Sequence, residues 1–222
     1  MSFVLHSPDE VEAATVERQL LWNNLKHEHG PFDIIGDIHG CFDELRALLD
    51  HLGYRITAGP NAGDRAWDVR PPAGRKAIFL GDLVDRGPNA PDVLRLVMDM
   101  VAAGNALCVP GNHDVKLARK LRGKDVRITH GLAETLAQLA GKPVEFHTRV
   151  ARFLDGLISH YVLDEAKLVV AHAGMKATLQ GRGSGVVRDF ALYGETTGET
   201  DEFGLPIRYN WAAEYRGQAS VV

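Results

Sequence analysis

The runs Gly36-Asp37-Ile38-His39-Gly40, Gly81-Asp82-Leu83-Val84-Asp85-Arg86-Gly87 and Gly111-Asn112-His113-Asp114 set carboxylate, imidazole and amide groups among glycines. Ala171-His172-Ala173-Gly174 adds a fourth such piece. Each comes directly after a short apolar stretch that reads as a buried strand: Phe32 to Ile35, Ala77 to Leu80, Ala106 to Val109, and Lys167 to Val170. Asp and Gly are ordinary turn residues, and glycine also lets a backbone approach an ion or a phosphate closely. Ligand-bearing turns at the ends of four strands in series exceed what chain reversal requires. They are the makings of a metal centre.

Asp37, His39 and Asp82 read as the ligands of one metal, and Asp82, Asn112 and His172 as those of a second, with Asp82 bridging. A shared carboxylate offsets the repulsion between two cations. Carboxylate, imidazole and amide donors suit Mn²⁺, Fe or Zn²⁺ better than Ca²⁺, and the lack of thiolates argues against structural zinc. Two metals ~3.5–4 Å apart activate a water and stabilise both oxygens of an in-line displacement. The expected chemistry is direct phosphoester hydrolysis without a phosphoenzyme. His113, beside Asn112, is the candidate general acid for the leaving oxygen, or else a brace for the ligands. Asp85 is its orienting partner, and Arg86 offers a planar fork to phosphate oxygens, unless these two form only a surface ion pair. Lys116 and Lys120 lie along one face of a helix starting at His113, within a basic segment running to Arg127. They read as substrate-binding groups for a polyanion, or as a solvated face. His130, His147 and His160 lack glycine or strand-end context and read as surface or capping residues.

Strand, ligand loop and helix recur three times, an α/β pattern in which ligands collect at the carboxyl ends of strands. Helices are predicted over residues 8–26, 42–52, 91–103, 113–122, 132–140 and 144–159. A short edge strand is expected at Trp67-Asp68-Val69 within a loop spanning 54–75, and a strand pair at 161–163 and 167–171. Residues 176–218 carry Phe190, Tyr193, Phe203, Tyr209, Trp211 and Tyr215 in a weakly periodic stretch, which reads as cover over a site more than as core. At 222 residues and 45% hydrophobic, the chain can bury a core of its own as one domain. A formal net charge of −4 gives no bulk attraction to nucleic acid or anionic membrane. No apolar stretch reaches transmembrane length, and Met1 to Glu10 lacks a signal-peptide pattern. Cys41 and Cys108 are the only cysteines and stand in no CxxC spacing, so a reducing cytoplasm is the expected location.

The motifs GDIHG, GDLVDRG and GNHD with the later His172 strongly resemble the calcineurin-like metallophosphoesterases. The DRG form resembles the branch that holds Ser/Thr protein phosphatases and diadenosine tetraphosphate hydrolases. Ile128 to Thr135, Tyr193 to Asp201, Trp211 and Tyr215-Arg216-Gly217 look like the phosphatase module of bacterial polynucleotide kinase-phosphatases. That resemblance implies a two-sheet α/β sandwich flanked by helices. It also implies two divalent metals, most often Mn²⁺, and removal of 2′- and 3′-phosphates or opening of 2′,3′-cyclic phosphates at RNA ends. Kinase and ligase modules would be its partners, although no P-loop and no obvious nucleotidyl-transfer lysine occurs in this sequence. Residues 1–30 then resemble a linker, and 31–222 the phosphoesterase domain without its final metal-binding strand region, because that family has a further histidine after a Val-Val strand. The alternative activities are diadenosine tetraphosphate hydrolysis, protein phosphatase action, or a weakened module that only binds.

Overall fold

The computed structural model describes residues 4–15, 20–59, 65–202 and 206–222. Three parallel strands, β2 (Phe32–Ile35), β5 (Lys76–Phe79) and β6 (Ala106–Cys108), form one sheet in the order β2-β5-β6. Between the first two lie α2 (Phe42–His51) and the antiparallel pair β3 (Arg55–Ala58) and β4 (Trp67–Arg70). The other helices on this side are α3 (Ala90–Ala102), α4 (Asn112–Leu121), α5 (Leu132–Ala140) and α6 (Val144–Gly156). The second sheet has the order β1 (Asn24–Leu25), β7 (Tyr161–Leu163), β8 (Leu168–Val170), β11 (Ser220–Val221), with only the β7–β8 pair antiparallel.

Side-chain alternation sorts the layers. Ile35, Ala77, Phe79, Ala106 and Cys108 point to one face of the first sheet and join the helices in the largest core cluster. Ile34, Ile78 and Leu107 point to the other face and meet Leu163, Val170, Tyr161 and Leu168 of the second sheet. The far face of that sheet, at Val162 and Val169, is covered by Val187, Phe190 and Ala191 of α7 (Gly185–Tyr193). The result is a helix–sheet–sheet–helix sandwich, and the apolar strand runs are explained by burial on both faces. A local signal sets the start of α3. Asn89 accepts the Asp92 amide at 3.3 Å, and Pro91 stands in the first turn of α3.

Three expectations are corrected. The helix predicted over 8–26 is only α1 (Pro8–Ala13), which buries no residue and so lacks the packing that sustains a helix; positions 16–19 of that range lie outside the described residues. Further on, Asn24–Leu25 pairs with β7 instead of coiling. His160 is fully buried rather than at the surface. Both the Asn23 side-chain amide, at 3.1 Å, and the Gly181 backbone N–H, at 3.0 Å, point at its Nε2. Segment 176–218 is partly core: α7 buries Val187, Phe190, Ala191 and Leu192, while β9 (Thr196–Thr200) and β10 (Pro206–Arg208) form an exposed hairpin. Phe203 lies outside the described residues. No helix among the described residues is long and apolar enough to cross a membrane.

Candidate active site

The four ligand runs converge at the carboxyl ends of β2, β5, β6 and β8, and their loops interlock. The Ile38 and His39 amides both donate to the Asp82 carbonyl, at 3.1 and 2.8 Å. A Cβ at Gly111 would overlap the Asp82 carboxylate, and one at Gly87 would overlap the His39 carbonyl. Those glycines are required by close approach, not by chain reversal. His39, Asp82, Asp85 and Arg86 all have positive φ, between 47° and 73°. Such left-handed backbone in non-glycine residues concentrates where a functional arrangement over-determines it.

Asp82 is the hub. Its Oδ2 lies 3.7 Å from His39 Nε2, 3.9 Å from His113 Nε2 and 3.6 Å from His172 Nε2. Asp37 stands 3.8 Å from His39 Nε2, and 3.8 Å from the outward nitrogen, Nδ1, of His172. Asn112 Oδ1 is 3.2 Å from His172 Nε2. Donors ~2.1 Å from a common ion stand ~3.0–4.2 Å from one another, so these spacings fit metals held between the side chains. The imidazoles are in the right tautomer as well. His39 Nδ1–H donates to the Val84 carbonyl at 2.9 Å, and His172 Nδ1–H to the Leu80 carbonyl at 2.8 Å. Each Nε2 lone pair is left facing inward.

The grouping differs from the sequence reading in one respect. The tight triads are His39–Asp82–His113 and Asp37–Asp82–His172, so Asp37 also stands with His172 and His113 stands among the donors. In both partitions Asp82 is the shared carboxylate. Beneath it, Asp114 is buried and accepts the Leu83 and Gly111 amides, each at 2.9 Å. Burial pushes its carboxyl up to about 7, with the Asp82 charge adding and the backbone donors pulling back.

His113 Nδ1–H donates to Asp85 Oδ2 at 2.7 Å, and Thr135 Oγ1–H donates to Asp85 Oδ1 at 2.7 Å. The Asp85 bond raises the His113 pKa, against burial, with the Asp82 charge assisting. Arg86 reaches His39 Nε2 at 2.9 Å and His113 Nε2 at 3.4 Å, so it spans the mouth of the cluster. Asp85 and Arg86 are thus not a mutual ion pair: each is engaged with a histidine of the site.

Lys116 and Lys120 are not among the residues lining the site cavity. The Lys116 amine donates to the carbonyl and hydroxyl of Thr129, both at 2.8 Å. It braces the loop that carries His130. His130, expected at the surface, lines the same cavity of about 520 Å³ with φ 60°. Tyr193, Pro206 and Arg208 line its other side. Thr135, His130 and Arg208 were missed because nothing in their sequence neighbourhood has ligand spacing, whereas Tyr193 lies where the aromatic stretch was read as cover over a site. The positive φ of His130 is visible only in three dimensions.

A two-sheet α/β sandwich with carboxylate, amide and imidazole donors on four strand-end loops is the arrangement of a metal-dependent phosphoesterase. Residues 30–198 match the family described as calcineurin-like phosphoesterase, and the chain belongs to that family. It is accordingly a hydrolase acting on phosphoesters, in a family that implies divalent metal ions. A Geobacillus thermodenitrificans (strain NG80-2) protein named bis(5′-nucleosyl)-tetraphosphatase PrpE [asymmetrical] is 42% identical over 194 residues, 86% of this chain and 76% of that protein. The Bacillus subtilis (strain 168) protein of the same name is 42% identical over 195 residues, 86% and 77% of the two chains. A solved structure whose description names a diadenosine tetraphosphatase superposes with TM-score 0.53 at 25% identity, covering 89% of this chain and 75% of that one. These relatives overturn the RNA-end reading: at this identity and coverage they carry the name of the alternative activity. The expected kinase and ligase partners rested on the overturned reading and fall with it.

Proposed function

We propose that this chain hydrolyses bis(5′-nucleosyl) tetraphosphates asymmetrically, giving a nucleoside monophosphate and a nucleoside triphosphate. The observation that carries the reading is the 42% identity over 86% of the chain to proteins of that name. The donor set of Asp37, His39, Asp82, Asn112 and His172 would hold two divalent metals, and its oxygen and imidazole character suits Mn²⁺, Fe or Zn²⁺. Bound there, the metals would supply a nucleophilic water and neutralise phosphate charge. Arg86, at the mouth of the cluster, orients the phosphoryl group through its planar fork. His113, held by Asp85, stands ready to deliver a proton to the bridging oxygen as the P–O–P bond breaks.

The test is chromatography of diadenosine tetraphosphate after incubation with the chain and Mn²⁺. Equal amounts of AMP and ATP are expected. Two ADP per substrate would refute the asymmetrical cut, and an untouched substrate with metals bound would refute the function.

A further inference from the structure

The metal-bearing loops account for one wall of the cavity. The opposite wall comes from segments that sequence reasoning left without a chemical role, and its construction is specific. The Ala173 amide, beside His172, donates to the Ala191 carbonyl at 2.7 Å. This ties the last turn of α7 to a metal-ligand loop and fixes Tyr193 at the cavity edge. The Tyr209 amide donates to the Glu195 carbonyl at 2.8 Å, and Arg208 pairs with Thr196 across the hairpin. Along β10, Pro206 and Arg208 share one face and line the cavity, as the two-residue repeat of a strand requires.

The side chains of that wall are not consumed by the fold. Tyr193 is 41% exposed. Arg208 makes no side-chain hydrogen bond or ion pair among the described residues. Across from them His130 is held at φ 60° by a loop pinned through Thr129, and its ring likewise has no partner among the described residues. An aromatic face and a free guanidinium therefore share a cavity of about 520 Å³ with the phosphate-handling groups. Cavities of roughly 300–1,000 Å³ suit ligands of nucleotide size, far larger than a phosphate.

We propose that Tyr193 and Arg208 form the subsite for the non-reacting part of the substrate, Tyr193 stacking on a nucleobase and Arg208 binding the distal phosphates. The inference rests on the dinucleoside tetraphosphate reading and deepens it by naming what selects that substrate over a small phosphoester. Aromatic stacking is tolerant of base identity, so the subsite accepts either purine or pyrimidine nucleosides. Tyr193→Phe keeps the stacking face, and Tyr193→Ala and Arg208→Gln remove the two contacts. Both positions are surface-exposed.

The experiment measures kcat/KM for diadenosine tetraphosphate and for p-nitrophenyl phosphate with each variant and reads their ratio. Tyr193→Ala and Arg208→Gln should each lower the ratio by about tenfold, mainly through KM, while Tyr193→Phe keeps it within about twofold. If wild type cleaves the dinucleotide and both ratios stay at the wild-type value, the subsite is wrong and the function stands. A fall shared equally by both substrates also overturns it, since that reports damage to the metal site. If wild type does not cleave the dinucleotide at all, the functional reading fails and the subsite fails with it.

Discussion

His113 shows how little a residue's position says until its partners are known. Its Nδ1–H is committed to Asp85, which is itself held by Thr135, so only Nε2 faces the reacting groups. The value of a proton donor depends on the leaving group. A polyphosphate leaves with a last ionisation near ~6, and needs little help; a simple phenol, with pKa ~10, needs more. His113→Ala is therefore expected to slow phenyl phosphate by about 10²–10³-fold and p-nitrophenyl phosphate, whose phenolate leaves readily, by under about tenfold. Equal losses on the two esters would assign His113 to holding metal, as its place in the His39–Asp82–His113 triad also permits.

At the scale of elements, the site is a set of loops locked to one another. Gly111 has φ −94°, which any residue can adopt, yet an added methyl would overlap the Asp82 carboxylate. Gly111→Ala is a test of close approach free of backbone strain. It should displace the shared ligand and cut bound metal, measured by elemental analysis, and kcat/KM by more than about tenfold, with a stability cost of about 1–3 kcal/mol. Full metal content in that variant would mean that Asp82 is not the hub. Lys116 belongs to the same lock through Thr129. Lys116→Met should lower stability by about 1 kcal/mol and leave the salt dependence of kcat/KM unaltered. A flattened salt dependence would restore the steering role inferred from charge alone.

Over the whole molecule, the second sheet is fastened by a buried neutral histidine. His160 is 0% exposed, and its Nε2 faces the Asn23 amide and the Gly181 N–H. Burial lowers its pKa from the ordinary value to about 4. The unfolded chain therefore binds this proton first as the pH falls. The stability contribution is full above pH ~6.5, declines on acidification, and is spent by pH ~4, a loss of about 3 kcal/mol. His160→Gln keeps an acceptor for the two N–H groups without titrating. Its melting temperature should fall less than that of wild type between pH 7 and 4. Parallel curves, or a His160 ring that titrates near its ordinary value, would refute this.

The sequence by itself determined the strand–loop–helix rhythm and the family, because apolar runs of strand length and glycine-flanked polar motifs are local signals. The DRG and GNHD runs were legible for the same reason. Local signals did not separate the substrates. The metal-site motifs alone do not tell phosphoester from phosphoanhydride cleavage, and the names of the relatives at 42% identity decided against the RNA-end reading. Tyr193, Pro206, Arg208 and His130 reach the cavity only through the packing of α7, the β9–β10 hairpin and the loop pinned at Thr129. Tertiary structure also decided the fate of the N-terminal segment. Helical periodicity over 8–26 promised one long helix, but an unburied helix has nothing to sustain it, and the hydrogen bonds of Asn23 and Asn24–Leu25 with β7 and its neighbours won.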